Sequence, residues 1–170
     1  GTVDVGSIPA GSTKLILMDK ELSIPKEVSY VTKKLEEVNF EAFLVGGCVR
    51  DLILDKTPKD WDVTTNAKPD EIISLFPKTF YENTFGTVGI VDENTENESL
   101  KVIEVTPYRL EGDYSDNRHP DSVTFSQKIE DDLKRRDFTI NSLAYSVSKK
   151  EIIDLFGGEK DIKDKIIRTV

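Results

Sequence analysis

The chain is poor in the residues that usually build metal centres, cross-links and membrane spans. Among its 170 residues there is one cysteine, Cys48, one histidine, His119, one methionine, Met18, and one tryptophan, Trp61. A single cysteine excludes an internal disulfide and fits a reducing compartment, so the cytoplasm or an organelle interior is the expected location. One His and one Cys exclude a zinc site of ordinary composition. No apolar run approaches the roughly 20 residues that span a bilayer, so no membrane partner is expected. Gly1 to Leu17 lacks a basic segment followed by a long apolar core, which argues against a secretory signal. Basic charge is scarce too: Lys and Arg number 23 against 32 Asp and Glu, for a net charge of -9. That balance argues against tight binding of long nucleic acid by this segment alone. It leaves room for a small anion carried as a metal complex and held by local arginines.

What is present suits one mixed α/β domain. Hydrophobic residues make up 37% of the chain, ordinary for a globular protein with a proper core. Gly1 to Leu17 is read as an added leader or a flexible N-terminus ahead of a native start at Met18, and residues 18 to 170 as the domain. The apolar finish, Ile166 to Val170, reads as a strand cut short. Apolar residues at Val28, Val31, Leu35 and Val38 predict an amphipathic helix. Phe43-Leu44-Val45 and Asp60 to Val63 read as strands, and Cys48 to Leu54 as a helix between them. Asn66 to Phe76 is a further helix with Pro69 in its first turn. Thr87 to Val91 and Leu100 to Thr106 form an expected hairpin across a polar loop. Tyr108 to Pro120 is expected to be a mobile loop. Ile129, Leu133, Ile140 and Leu143 predict one helix over Glu130 to Ser146, followed by a short strand at Ile152 to Phe156. A brief helix, Glu159 to Lys165, and a terminal strand complete the reading. The sum is an α+β domain with a modest sheet and helices mainly on one side.

Two features carry chemistry. Gly46-Gly47 joins a strand to a helix. Backbone N–H groups at a helix start, with no Cβ to obstruct approach, favour a bound anion, and Arg50 one turn on adds a planar cationic fork. Asp60-Trp61-Asp62 follows. On a strand the two carboxylates share a face and Trp61 takes the other. Side by side they repel unless a cation lies between them, and Mg²⁺ accepts such oxygens. Taken singly, the glycines also fit a tight turn, and the aspartates a loop cap; their adjacency is what raises the signal. If two ions are used a third carboxylate is needed. Glu104, inside an apolar strand, is the candidate, with an edge strand facing water as the other reading. Asp137 and Asn141, at i and i+4, suit the hydroxyls of a ribose, with Arg135 or Arg136 reaching phosphate; a solvated helix face is the alternative. Arg109, Arg118 and His119 are, in isolation, loop charges.

Together these residues carry a resemblance. Leu44-Val45-Gly46-Gly47-Cys48-Val49-Arg50-Asp51, Lys59-Asp60-Trp61-Asp62-Val63-Thr64-Thr65, Arg118-His119-Pro120 and Arg135-Arg136-Asp137-Phe138-Thr139-Ile140-Asn141-Ser142-Leu143-Ala144 stand in consistent order. They resemble the head domain of class II tRNA nucleotidyltransferases, the CCA-adding enzymes, and of the related bacterial poly(A) polymerases. The resemblance implies a polymerase-β-like nucleotidyltransferase fold with about five strands. It implies Mg²⁺, with Mn²⁺ as a substitute, ligated by Asp60 and Asp62, and Glu104 as third carboxylate. Gly46, Gly47 and Arg50 would hold the triphosphate, and Arg136, Asp137 and Asn141 the sugar and phosphates. Arg109 and Arg118 would be loop contacts. The implied partners are CTP, ATP and the 3′ end of tRNA. Base choice and RNA grip would belong to neck, body and tail domains that are not in this chain. Poly(A) addition, CC-only or A-only addition, and a non-catalytic RNA-associated module that keeps the fold are the alternatives. An antibiotic or protein nucleotidylyltransferase is disfavoured by the Arg135-Arg136-Asp137 motif.

Overall fold

The computed structural model describes residues 22–82, 85–110 and 124–170, together with the backbone of a short strand at 15–17. Its centre is one sheet. In chain order the elements are β1 (Leu15–Leu17), α1 (Lys26–Glu37), β2 (Ala42–Val45), α2 (Gly47–Ile53), β3 (Trp61–Thr65), α3 (Pro69–Leu75), β4 (Thr79–Glu82), β5 (Thr87–Val91) and β6 (Val102–Pro107). Then come α4 (Ile129–Lys134), β7 (Leu143–Ser146), β8 (Glu151–Asp154) and α5 (Gly158–Asp164). The strand order is β1-β8-β7-β2-β3-β6-β5-β4. Seven strands from Ala42 onward, plus the edge strand β1, replace the five expected. The excess is β4, a short and largely exposed strand, and β7, which lies inside the stretch expected to be helical. Among the described strands only β3 and β6 pair in parallel; the other neighbours are antiparallel.

The sheet buries its two faces unequally. On one, Val28, Val31 and Leu35 of α1 and Ile72 of α3 pack against Leu44, Trp61, Val63, Val88, Ile103 and Val105. Cys48 and Val49 bring α2 to the same core. α3 starts at Pro69 rather than at Asn66: Pro69 needs no N–H in the first turn, and Glu71 accepts the Lys68 N–H at 2.7 Å. On the other face a smaller cluster joins Ile129 and Leu133 of α4 to Val45, Ala144 and Ile153. Among the described residues, the rest of that face carries Phe80 and Glu104, both exposed.

Three expectations are corrected. Residues 130–146 are not one helix: α4 ends at Lys134, a 3-10 turn covers Thr139–Asn141, and Leu143–Ser146 is a central strand. The Asp137 carboxylate accepts the N–H of the very next residue, Phe138, at 2.8 Å, which diverts the backbone from a helix. Ser142 Oγ then donates to the Leu133 carbonyl left open at the helix end. Beyond that turn the true period is two, with Leu143 and Tyr145 in the large core and Ala144 in the small one. Tyr108 does not belong to a loose loop. It is fully buried, its N–H bonds to the Thr65 carbonyl, and its hydroxyl donates to Glu41 at 2.9 Å. Finally, residues 166–170 form no strand but an isolated bridge, Phe138 to Thr169. The hairpin β5–β6 forms as expected.

Candidate active site

The open part of the second face is where the chemistry-bearing residues converge. β2 runs into Gly46, whose φ of +76° and ψ of -134° define a backbone state essentially restricted to glycine. A Cβ there would also sit 3.0 Å from Arg136 Nη1. The strand therefore turns into α2 right beside the Arg136 guanidinium. Gly46, Gly47, Arg50, Arg135, Arg136, Asp137 and Asn141 line one open cleft of about 420 Å³. Sequence neighbours and residues some 90 positions apart thus share one site.

Each cation in this cleft is held by a partner. Arg50 donates from Nε and Nη2 to Asp51 at 3.0 and 2.9 Å, and from Nη1 to the Asn141 side-chain oxygen at 2.7 Å. Arg135 Nε donates to Asp132 Oδ1 at 2.9 Å, and Arg136 Nη2 to Asp132 Oδ2 at 3.1 Å. Arg136 Nε, in contrast, is a buried donor with no hydrogen-bond partner. An unsatisfied cationic donor beside a cleft lined by three arginines and two glycines fits a polyanion such as a triphosphate.

Asp132 is the residue that sequence reading missed. It is fully buried, bridges two arginines, and also accepts from Thr64 Oγ1 at 3.2 Å. Burial alone would raise its pKa, but Arg136 and Arg135 beside it hold the carboxyl below the usual range. In the sequence it is the last of three acids, Glu130-Asp131-Asp132, a run that looks like the solvated acidic start of a helix.

The carboxylates stand beside this cleft. Asp62 on β3 and Glu104 on β6 are register partners in the parallel pair. β6 is flanked by β3 and β5, so Glu104 is not on an edge strand, although its side chain is exposed. Asp60 precedes β3 and is exposed, while Trp61 is buried on the opposite face, 3% exposed. Desolvation pushes the Asp62 carboxyl up, Arg136 pulls it down, and Asp60 raises it again. Glu104 is raised by desolvation, then by Asp62, Glu82 and Asp60. Among the described residues no three such side chains are already drawn into a metal cage. The fit lies in the donor set: adjacent hard oxygens that disfavour one another's charge are what a divalent cation relieves.

Other expected contacts fall elsewhere. Arg109 is not in the cleft; its guanidinium lies 5.3 Å from the Phe85 ring centroid. Asp137 and Asn141 both line the cleft, yet not as i, i+4 neighbours on a helix: one caps the Phe138 N–H and the other steadies Arg50. Arg118 and His119 lie outside the described residues. Cys48 packs beneath the site, its Sγ donating to the Val45 carbonyl at 3.3 Å. Burial raises this thiol to about 11. The folded protein should therefore resist alkylation by iodoacetamide at pH 8, where little thiolate exists, and label fully in denaturant. Labelling of the native state followed by mass spectrometry checks this.

Residues 42–168 match a family model described as the Poly A polymerase head domain. A CCA-adding enzyme of Geobacillus thermodenitrificans is 45% identical over 141 residues, covering 82% of this chain and 33% of that protein. One from Lactobacillus helveticus is 44% identical over 157 residues, covering 92% and 38%. Among solved structures, the Bacillus stearothermophilus CCA-adding enzyme in complex with CTP superposes with a TM-score of 0.71 at 35% identity, over 86% of this chain and 34% of that one. The Thermotoga maritima CCA-adding enzyme complexed with tRNA gives 0.63 at 28%, over 84% and 31%. The chain thus spans about a third of the length of the relatives it matches.

Proposed function

The chain belongs to the family of poly A polymerase head domains, and from that premise we propose that it is the catalytic head of a template-independent RNA nucleotidyltransferase. The favoured member is a CCA-adding enzyme, using CTP and ATP to extend the 3′ end of tRNA in the cytoplasm. The relatives' names support that member. The observation that carries the activity is the cationic cleft, with its unsatisfied Arg136 donor, set directly against the Asp62–Glu104 pair.

The residues divide the work as follows. The Gly46-Gly47 turn, whose Gly46 N–H is already given to the Leu143 carbonyl, leaves the Gly47 amide at the start of α2 to bind the triphosphate together with Arg50 and Arg136. Asn141 and Asp51 hold the Arg50 fork in position, and Asp132 does the same for Arg136. Asp137, which lines the same cleft, is the partner proposed for a ribose hydroxyl. Asp60 and Asp62, with Glu104 beside them, would hold Mg²⁺, which when bound supplies activation of the attacking hydroxyl and neutralisation of the leaving pyrophosphate. Positioning and fixed charge do most of the remaining work, because the phosphoryl transition state asks for little covalent help from the protein.

The roles proposed for the cleft side chains are towards phosphate and sugar, and none of the described residues is assigned to a base edge. Calorimetry on this chain with Mg²⁺ should therefore give CTP and ATP affinities within about threefold of each other. Absence of nucleotide binding, or a preference above about tenfold, would sink this reading.

A further inference from the structure

The open half of the site face continues past the carboxylates to the edge strand β4. Register places Phe80 opposite Gly89, Gly89 opposite Glu104, and Glu104 opposite Asp62. Directly paired residues share a face, so all four lie in one row across β4, β5, β6 and β3. The influence of Glu82, two residues beyond Phe80, on the Glu104 carboxyl agrees with this placement. Within the row the glycine has a visible consequence. A Cβ on Gly89 would overlap the Phe80 ring, so the ring lies down over Gly89 towards Glu104. It nevertheless remains 49% exposed. A large aromatic surface thus faces solvent roughly one strand spacing, about 4.8 Å, from the Glu104 backbone.

We propose that Phe80 is a stacking platform for the terminal base of the RNA strand that is extended. This deepens the nucleotidyltransferase reading and rests on it. In-line transfer requires the attacking oxygen and the leaving pyrophosphate on opposite sides of the phosphorus. The cationic cleft lies on the β2 and α4 side of the carboxylates, so the strand bearing the attacking hydroxyl comes from the other side, where Phe80 is. Charge fixes which part of that strand reaches the platform. Glu82 and Glu104 flank it, so a phosphate would be repelled, whereas the uncharged face of a base meets no such cost. Stacking on an aromatic ring is indifferent to base identity, as needed by an enzyme whose terminal base changes after each addition.

The test uses the full-length protein and a short RNA ending in 2-aminopurine, whose fluorescence is quenched on stacking. Phe80→Trp retains a ring, while Phe80→Leu keeps an apolar cover over Gly89 without one. Wild type and Phe80→Trp should quench the probe, and Phe80→Leu should bind the RNA about tenfold more weakly with little quenching. CTP affinity and thermal midpoint should be unchanged across the three. Equal RNA binding and quenching in all of them overturns the platform. So does a parallel loss of CTP affinity or of folding in Phe80→Leu, which would assign the ring to shaping the sheet. A wild type that binds CTP but no RNA 3′ end refutes the platform together with the proposed function; one that binds neither points to failure of that function at its root.

Discussion

Asp62→Asn should reduce nucleotide incorporation by roughly 10³-fold or more while leaving the protein at least as stable as before. The rate estimate follows from losing several kcal/mol of charge stabilisation in the transition state, at about 1.4 kcal/mol per decade. The stability estimate follows from the sign of the pKa shift. The Asp62 carboxyl is raised in the folded state by desolvation and by Asp60, against the pull of Arg136. A raised carboxyl binds its proton more tightly folded than unfolded. Its ionisation thus weakens the fold progressively as pH climbs above the ordinary carboxylate value, fully so once the folded pKa is passed. The amide cannot ionise, so this weakening disappears. Primer extension and thermal melting of the full-length protein read both effects. A variant that is inactive because it is unfolded contradicts the argument, as does one that still incorporates nucleotide at near wild-type rate. Stability given up at a reaction centre is a common trade.

Asp132→Ala should do the reverse and unfold the site from behind. The substitution strands Arg135 and Arg136, whose side chains are only 19% and 20% exposed. Removing one partner of a buried pair typically costs about 3–5 kcal/mol. For a chain of this size that corresponds to a melting midpoint lower by roughly 10 °C. Nucleotide affinity should fall as well, since Arg136 loses the anchor that aims it into the cleft. Asp132 also sets a pH limb of opposite sign to that of Asp62. Its carboxyl is held low by Arg136 and Arg135 against the effect of burial. Its stabilisation is therefore full above the ordinary Asp value and is lost as pH falls through the depressed folded one. Asp132→Asn, which keeps the shape, should melt with a shallower acid limb. Urea titrations at pH 3 and pH 7 distinguish the variants; identical acid limbs would show that the carboxylate is not buried as a charge.

The two halves of the site differ in how far the sequence discloses them. Gly46-Gly47 and Asp60-Trp61-Asp62 are local: strand, turn and alternation follow from a few adjacent residues, and β2, α2 and β3 form within a residue or two of the reading. Glu104 was legible as a charge inside an apolar strand, but its place opposite Asp62 depends on a parallel pairing that no local pattern encodes. Asp132 was hidden because burial, not residue type, separates it from Asp131 beside it. The stretch from Glu130 to Ser146 misled for a related reason. Its apolar spacing satisfies a helical period, yet Ile129 and Leu133 serve one face of the sheet and Leu143 the other. Phe80 gives no signal at all until Gly89 is seen beneath it.

The parallel register of β3 and β6 has a kinetic consequence. Asp62 and Glu104 are brought together by strands some 42 residues apart, with α3, β4 and β5 between them. Closing so long a loop costs conformational entropy before the pairing returns anything. The carboxylate pair, whose mutual repulsion opposes the closure further, therefore assembles after the local strand–turn–helix around Gly46. A partly folded chain has the turn at Gly46 before it has the carboxylate pair, and the arginines that complete the cleft come from some 90 positions further along.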